Sequence, residues 1–358
     1  MSLSPDAYHG LRQRQASLRA QCPQLKMMEL RAHTNTVADY HHTILLHHLK
    51  LEQTTRPQPQ SIAMQPEIRL RMRPMLLDHL VDIFLQFKLS YVTFFLTVNL
   101  LDRYTSLRVV RKQHYQLLGL TCLWIAAKYS EKKTRVPTVH DLTRLCLNTY
   151  SKTLFLEMES HILKSLDWNI GFSTHNVFLD LVLQEQPDIV SNTPHNLHDL
   201  KMGAIYLCEL AQFHPRICFH YSASAIAVAA LALVVDAIGI APLVGGPLVA
   251  RLDADLPHHL LALVACPPPS LRVKYASPGY AINALHCHHQ VQTLVPSPRS
   301  SPVSVRSSFT PYASPVSSVA SSAGTISPYH YDIALEEKKR QSADSEYFRS
   351  EQKKMRQF

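Results

Sequence analysis

Glycine is scarce in this chain, nine residues in 358, and tryptophan is scarcer at two. So few glycines leave little material for the tight turns of a sheet protein, while apolar residues make up 46% of the whole. That balance favours helices packed on helices, an all-α chain. A glycine-rich phosphate loop, a Gly-x-Ser-x-Gly elbow and a His-Glu-x-x-His pair are all missing, and single Ser, His and Asp residues are too common to suggest an enzyme. The seven cysteines are odd in number and form no Cys-x-x-Cys pair, which argues against a disulfide framework and for reducing surroundings. The N-terminus lacks the basic start, apolar core and small-residue cleavage site of a secretory signal, so export is not expected. The longest apolar stretch, 223–250, is interrupted by Asp236, Pro242 and Gly245-Gly246. It is too short to span a bilayer, and 222–238 reads as a buried core helix.

The formal charge is +9, with a pI near 9.2. Lys and Arg are scattered along the chain, which suits a solvated basic surface better than a nucleic-acid stripe. The length allows one large domain or two of ordinary size, and two is the working count.

Residues 1–34 show no clear period and are expected to be loosely ordered. From Val37 the positions Val37, Tyr40, Ile44, Leu45 and Leu49 recur at helical spacing until Pro57 and Pro59 stop them. Five helical segments follow between Glu67 and Leu166. The first spans about 69–87 with Met72, Leu76, Leu80, Phe84 and Leu85 in one stripe, and the second follows Ser90. The third, about 111–129, is apolar nearly all round from Leu117 to Ala127, which marks the centre of the lobe. The fourth opens at Pro137-Thr138-Val139-His140-Asp141, a helix start with Thr138 as cap. The fifth, about 151–166, puts Phe155, Met158, Ile162 and Leu166 on one face. Five more are expected at 174–183, 197–213, 222–238, 252–266 and 270–289, which suggests a duplicated lobe. From Pro296 the composition turns to Ser, Pro and Val, as in a disordered tail.

Three stretches of the first lobe carry a family resemblance. They are Met72-Arg73-Pro74-Met75-Leu76-Leu77-Asp78-His79-Leu80-Val81, then Leu101-Asp102-Arg103-Tyr104, then Ala126-Ala127-Lys128-Tyr129 with Met158-Glu159 downstream. In order and spacing they resemble a cyclin box over about 35–185. Gln65-Pro66-Glu67, His114-Tyr115-Gln116-Leu117 and Leu123-Trp124-Ile125 resemble the fungal G1/S-specific, Cln-type cyclins. The resemblance implies a duplicated five-helix all-α fold, with a leading helix and a cyclin box over 35–172, a second lobe over 173–292 and a Ser/Pro-rich regulatory tail over 293–358. It implies a non-catalytic chain without cofactor or metal, which binds and activates a cyclin-dependent serine/threonine kinase at the G1/S transition. Nucleus and cytoplasm are the expected locations.

The resemblance also implies roles. Arg73 and Asp102 would form a structural pair inside the lobe, a guanidinium out of water needing a carboxylate fork. Lys128 and Glu159 would grip the kinase, donating to carbonyls and accepting from amides near its regulatory helix, with Tyr129 and Phe155 as apolar contacts or core residues. Met72, Met75, Leu76, His79 and Gln116 would form a docking patch for kinase substrates and inhibitors. Many cyclins carry Trp where His79 stands, so docking of the motif that Trp serves is not expected.

The tail holds Ser297, Ser301, Thr310, Ser314 and Ser327, each followed by Pro. Each is a minimal site for a proline-directed kinase, and their phosphorylation would mark the chain for a ubiquitin ligase. The run His286-Cys287-His288-His289 and the pairs His41-His42, His47-His48 and His258-His259 invite a metal reading. Adjacent helix residues point different ways, so solvated histidines are expected. The rival reading is a cyclin-fold transcription-related or nucleic-acid-binding adaptor. It would need a basic face on the second lobe, where Lys and Arg are few. Neither membrane nor direct nucleic-acid contact is expected.

Overall fold

The structure is a computed structural model that describes residues 23–186, 189 and 197–294. The described residues up to Gln292 belong to one compact unit. All regular structure among the described residues is helical. The five tail serines and threonines lie outside the described residues.

The chain enters through α1, Pro23–Thr54, and a short α2, Pro59–Ala63. The first lobe then runs α3, Met72–Phe87, α4, Tyr91–Leu107, α5, Tyr115–Ser130, α6, Val139–Leu145, and α7, Lys152–Ser165. The starts follow from side chains that occupy orphan amides: Ser90 and Ser151 each accept from the backbone N–H three residues on. At Thr138 the box closes both ways, with Thr138 Oγ1 accepting from Asp141 N–H at 3.2 Å and the Asp141 carboxylate accepting from Thr138 N–H at 2.9 Å. Helices α4 and α5 pack on each other along their length and are enclosed on nearly every side.

The second lobe repeats the plan with α8, His175–Glu185, α9, Leu197–Gln212, a turn α10, Pro215–Cys218, α11, Ala223–Ala237, and α12, Leu256–Leu263. It closes with α13, Pro269–Lys274, and α14, Tyr280–Leu294. Here α9 and α11 are the central pair. Among the described residues no helix is long and apolar enough to cross a membrane, and α11 lies in the core as its sequence implies.

The lobes are joined by side-chain caps, one part-buried and one buried. Asp78 on α3 accepts from the N–H and hydroxyl of Ser270, at 3.0 and 2.5 Å, and so starts α13. Glu52 on α1 does the same for Ser224 at the head of α11, at 2.7 and 2.8 Å.

Three expectations are corrected. Helix α1 begins at Pro23, within the stretch expected to be loose; its apolar residues Leu25, Met27 and Met28 are exposed, so they form no apolar stripe that would betray the helix. The helix expected over 270–289 is two, separated around Pro278, which has no N–H to give and whose ring disfavours helix in the residue before it. The helix expected over 252–266 shrinks to α12 behind a 3₁₀ turn at Val249–Arg251.

Candidate functional site

Helix α5 is buried from Leu117 to Ala127 and breaks the surface at Lys128. There the Lys128 ammonium sits over the Trp124 ring, 3.5 Å from its centroid, and pairs with the Glu159 carboxylate of α7. Spacing explains both contacts: Trp124 is one turn before Lys128, and Glu159 follows Met158 at the edge of the stripe that α7 buries against α5. The Lys128 side chain is 37% exposed and that of Glu159 16%. A pair this open is worth less than about 1 kcal/mol to the fold and can change partners cheaply. Lys128 also lies in the last turn of α5, where the helix dipole favours a cation.

Next to it Tyr129 is 60% exposed. Phe155 is 0% exposed, sealed in the lobe with its ring edge-on to Tyr150. It is a core residue, not a surface contact, because it shares the stripe of Met158 and Ile162. Another aromatic was missed. Trp168 is 66% exposed just beyond α7, with Asp167 and Trp168 both left-handed at φ 50° and 58°. Two successive non-glycine residues in that region are strained. The signal available in the sequence was one of only two tryptophans standing outside any apolar stripe.

Arg73 and Asp102 meet inside the lobe at 2.8 and 2.7 Å, a two-pronged pair with Arg73 2% exposed. Arg73 also donates to the Gln212 carbonyl at the end of α9 and stacks over Phe219 at 5.0 Å. Burial by itself disfavours the guanidinium's charge, but the Asp102 carboxylate outweighs it and holds the pKa above the ordinary arginine value.

The docking set divides. Met75 is 42% exposed, and Met72, His79 and Gln116 are half-buried, with Gln116 Nε2 3.3 Å from His79 Nε2. Burial lowers the His79 pKa against the pull of Asp82 and Asp78. Leu76 is corrected to a core residue: α3 crosses α5 so closely that a methyl on Gly119 would sit 3.0 Å from the Leu76 side chain. Among the described residues no group of three or more His, Cys, Asp or Glu is placed to hold a metal. Two histidines expected to be solvated are bonded instead. His41 Nε2 lies 2.9 Å from Glu185, and His48 Nδ1 lies 3.0 Å from the Ser173 hydroxyl, so both tie α1 to the edge of the second lobe.

Residues 43–171 match the cyclin N-terminal domain family. Over that stretch the chain carries a cyclin N-terminal domain. Its curated relatives include the G1/S-specific cyclin CLN2 of Candida albicans, 44% identical over 241 residues, which cover 65% of this chain and 51% of the relative. The G1/S-specific cyclin CLN3 of Saccharomyces cerevisiae is 33% identical over 257 residues, 61% of this chain and 44% of that one. The chain therefore spans about half the length of the curated relatives it matches. A viral cyclin from herpesvirus saimiri superposes at TM-score 0.47 with 19% identity, over 71% of this chain and 97% of the other.

Proposed function

We propose that the chain is the non-catalytic regulatory subunit of a cyclin-dependent serine/threonine kinase and drives the G1/S transition. One observation carries the reading: an ammonium and a carboxylate from two separate helices, Lys128 and Glu159, stand paired at the surface beside exposed Tyr129. Lys128 donates to carbonyls and Glu159 accepts from amides flanking the kinase's regulatory helix, and this holds that helix inward so the kinase's own Lys, Glu and metal-binding Asp assemble. Tyr129 supplies apolar area beside the polar clamp. Met72, Met75, His79 and Gln116 form the surface for substrates and inhibitors. Phosphorylation at Ser297, Ser301, Thr310, Ser314 and Ser327 creates the signal for a ubiquitin ligase. The protein works in nucleus and cytoplasm.

The test is capture of kinase from cell extract by the wild-type chain and by a Lys128→Ala/Glu159→Ala double variant. Loss of kinase with the variant, at unchanged helical content, supports the assignment, and undiminished capture refutes it. For the tail, Ala at all five positions should lengthen the half-life in cycling cells, and an unchanged half-life removes the degradation role.

A further inference from the structure

Lys128 meets two groups at the surface of the first lobe, and they differ in kind. One is the Glu159 carboxylate of α7. The other is the face of the Trp124 ring, one turn back on α5, with its centroid 3.5 Å from the ammonium. The carboxylate contact is exchangeable, because both of its side chains are partly open to water. The ring is not free to leave in the same way. Trp124 is 8% exposed and belongs to the part of α5 that is buried from Leu117 to Ala127, so close packing fixes its plane before any partner arrives.

When Glu159 turns to accept from a partner's amides, Lys128 loses its carboxylate at the moment it must donate elsewhere. A lysine released into water regains rotamer freedom that binding must then remove. The ring prevents that release. It attracts the ammonium through its quadrupole on one side and leaves N–H groups of the three free for carbonyls on the other. The attraction also strengthens as water is excluded, which is what a covering partner does. We infer that Trp124 is a positioning residue of the kinase contact: it keeps the Lys128 ammonium in place while Glu159 passes from lysine to kinase backbone, and so sets affinity by acting through Lys128. The inference rests on the reading of Lys128 and Glu159 as the clamp and adds to it a third residue, supplied from the core side.

The test titrates the kinase that the wild-type chain captures from cell extract, once purified, against the full chain and its variants. These are Trp124→Leu and Trp124→Phe, each alone and combined with Lys128→Met, and Lys128→Met by itself, all checked for native helical content. Trp124→Leu should weaken binding about tenfold, which is about 1.4 kcal/mol. Trp124→Phe keeps a ring face and should lose about threefold. With Lys128→Met in place, neither tryptophan change should weaken binding further. In the unaltered chain, the Lys128 methylene protons beside the ammonium should be shifted upfield by the ring in NMR spectra, and should stay so when kinase is bound. A tryptophan that only fills the core would cost the same in both backgrounds, and that result overturns the inference. Binding unchanged in folded Trp124→Leu, or an upfield shift lost in the complex, overturns it too. If Trp124→Leu does not fold, the Phe pair and the NMR spectra of the unaltered chain decide. Unweakened binding by Lys128→Met is a different failure, that of the clamp reading itself.

Discussion

Arg73 and Asp102, 29 residues apart on neighbouring helices, face each other as fork to fork at 2.8 and 2.7 Å with almost no solvent between them and the core. Removing one partner strands the other charge in the interior. Asp102→Ala should therefore destabilise the chain by about 3–5 kcal/mol, and an Arg73→Met/Asp102→Leu double variant by less than the sum of its singles. Urea unfolding of the three variants measures this, and additive losses would show the two residues to be uncoupled.

The Lys128–Glu159 pair should behave in the opposite way. Each is partly open to water, so Lys128→Ala or Glu159→Ala should change unfolding free energy by less than about 1 kcal/mol. A loss above 3 kcal/mol in either would make the pair structural and would undercut its assignment as a clamp.

His175 imposes an acid limit. Burial lowers its pKa from 6.5 to about 3, so as pH falls through that interval the unfolded chain takes up a proton that the folded chain refuses. The sign is a loss of stability on acidification, by up to about 1.4 kcal/mol per pH unit, with none above the unfolded value. Glu52 acts in the other direction, since burial raises its pKa and its ionisation favours the unfolded chain as pH rises. Comparing wild type with His175→Phe between pH 7 and pH 5 isolates the histidine: the variant should lose less stability over that range, and parallel curves would contradict the assignment.

At Gly203 on α9, an added methyl would lie 2.9 Å from Ala281 Cβ and 3.3 Å from Val234 Cγ2, both on buried, packed residues. Alanine ordinarily improves a helix interior by about 1 kcal/mol over glycine. Here overpacking should win, with Gly203→Ala costing about 1–2 kcal/mol net in chemical denaturation. A stabilised variant would mean that α9 and α14 can part without cost.

Why some of this was legible and some was not follows from which residues report a buried face. Stripes such as Phe155, Met158 and Ile162 locate α7, and the Thr138 to Asp141 spacing marks the head of α6, because both signals are local. The same stripe argues that Phe155 faces inward, against its use as a contact. Helix α1 upstream of Val37 left no trace because its described apolar side chains there face solvent. Distant pairings were out of reach: nothing near Arg73 points to the Gln212 carbonyl 139 positions on, nor anything near Glu52 to Ser224, 172 positions on. Lys128 and Glu159 could be singled out by family resemblance, but the Trp124 platform beneath the ammonium needed the folded turn.

The third hand of Arg73 has a consequence for how this chain can be divided. A fragment ending at residue 171 would keep every helix of the matched family region yet lose Gln212 and Phe219, and so would bring a deeply set cation to an uncovered wall. The region that names the family is thus not a self-sufficient piece of matter: its interior is finished by atoms from the half of the molecule that the name does not cover.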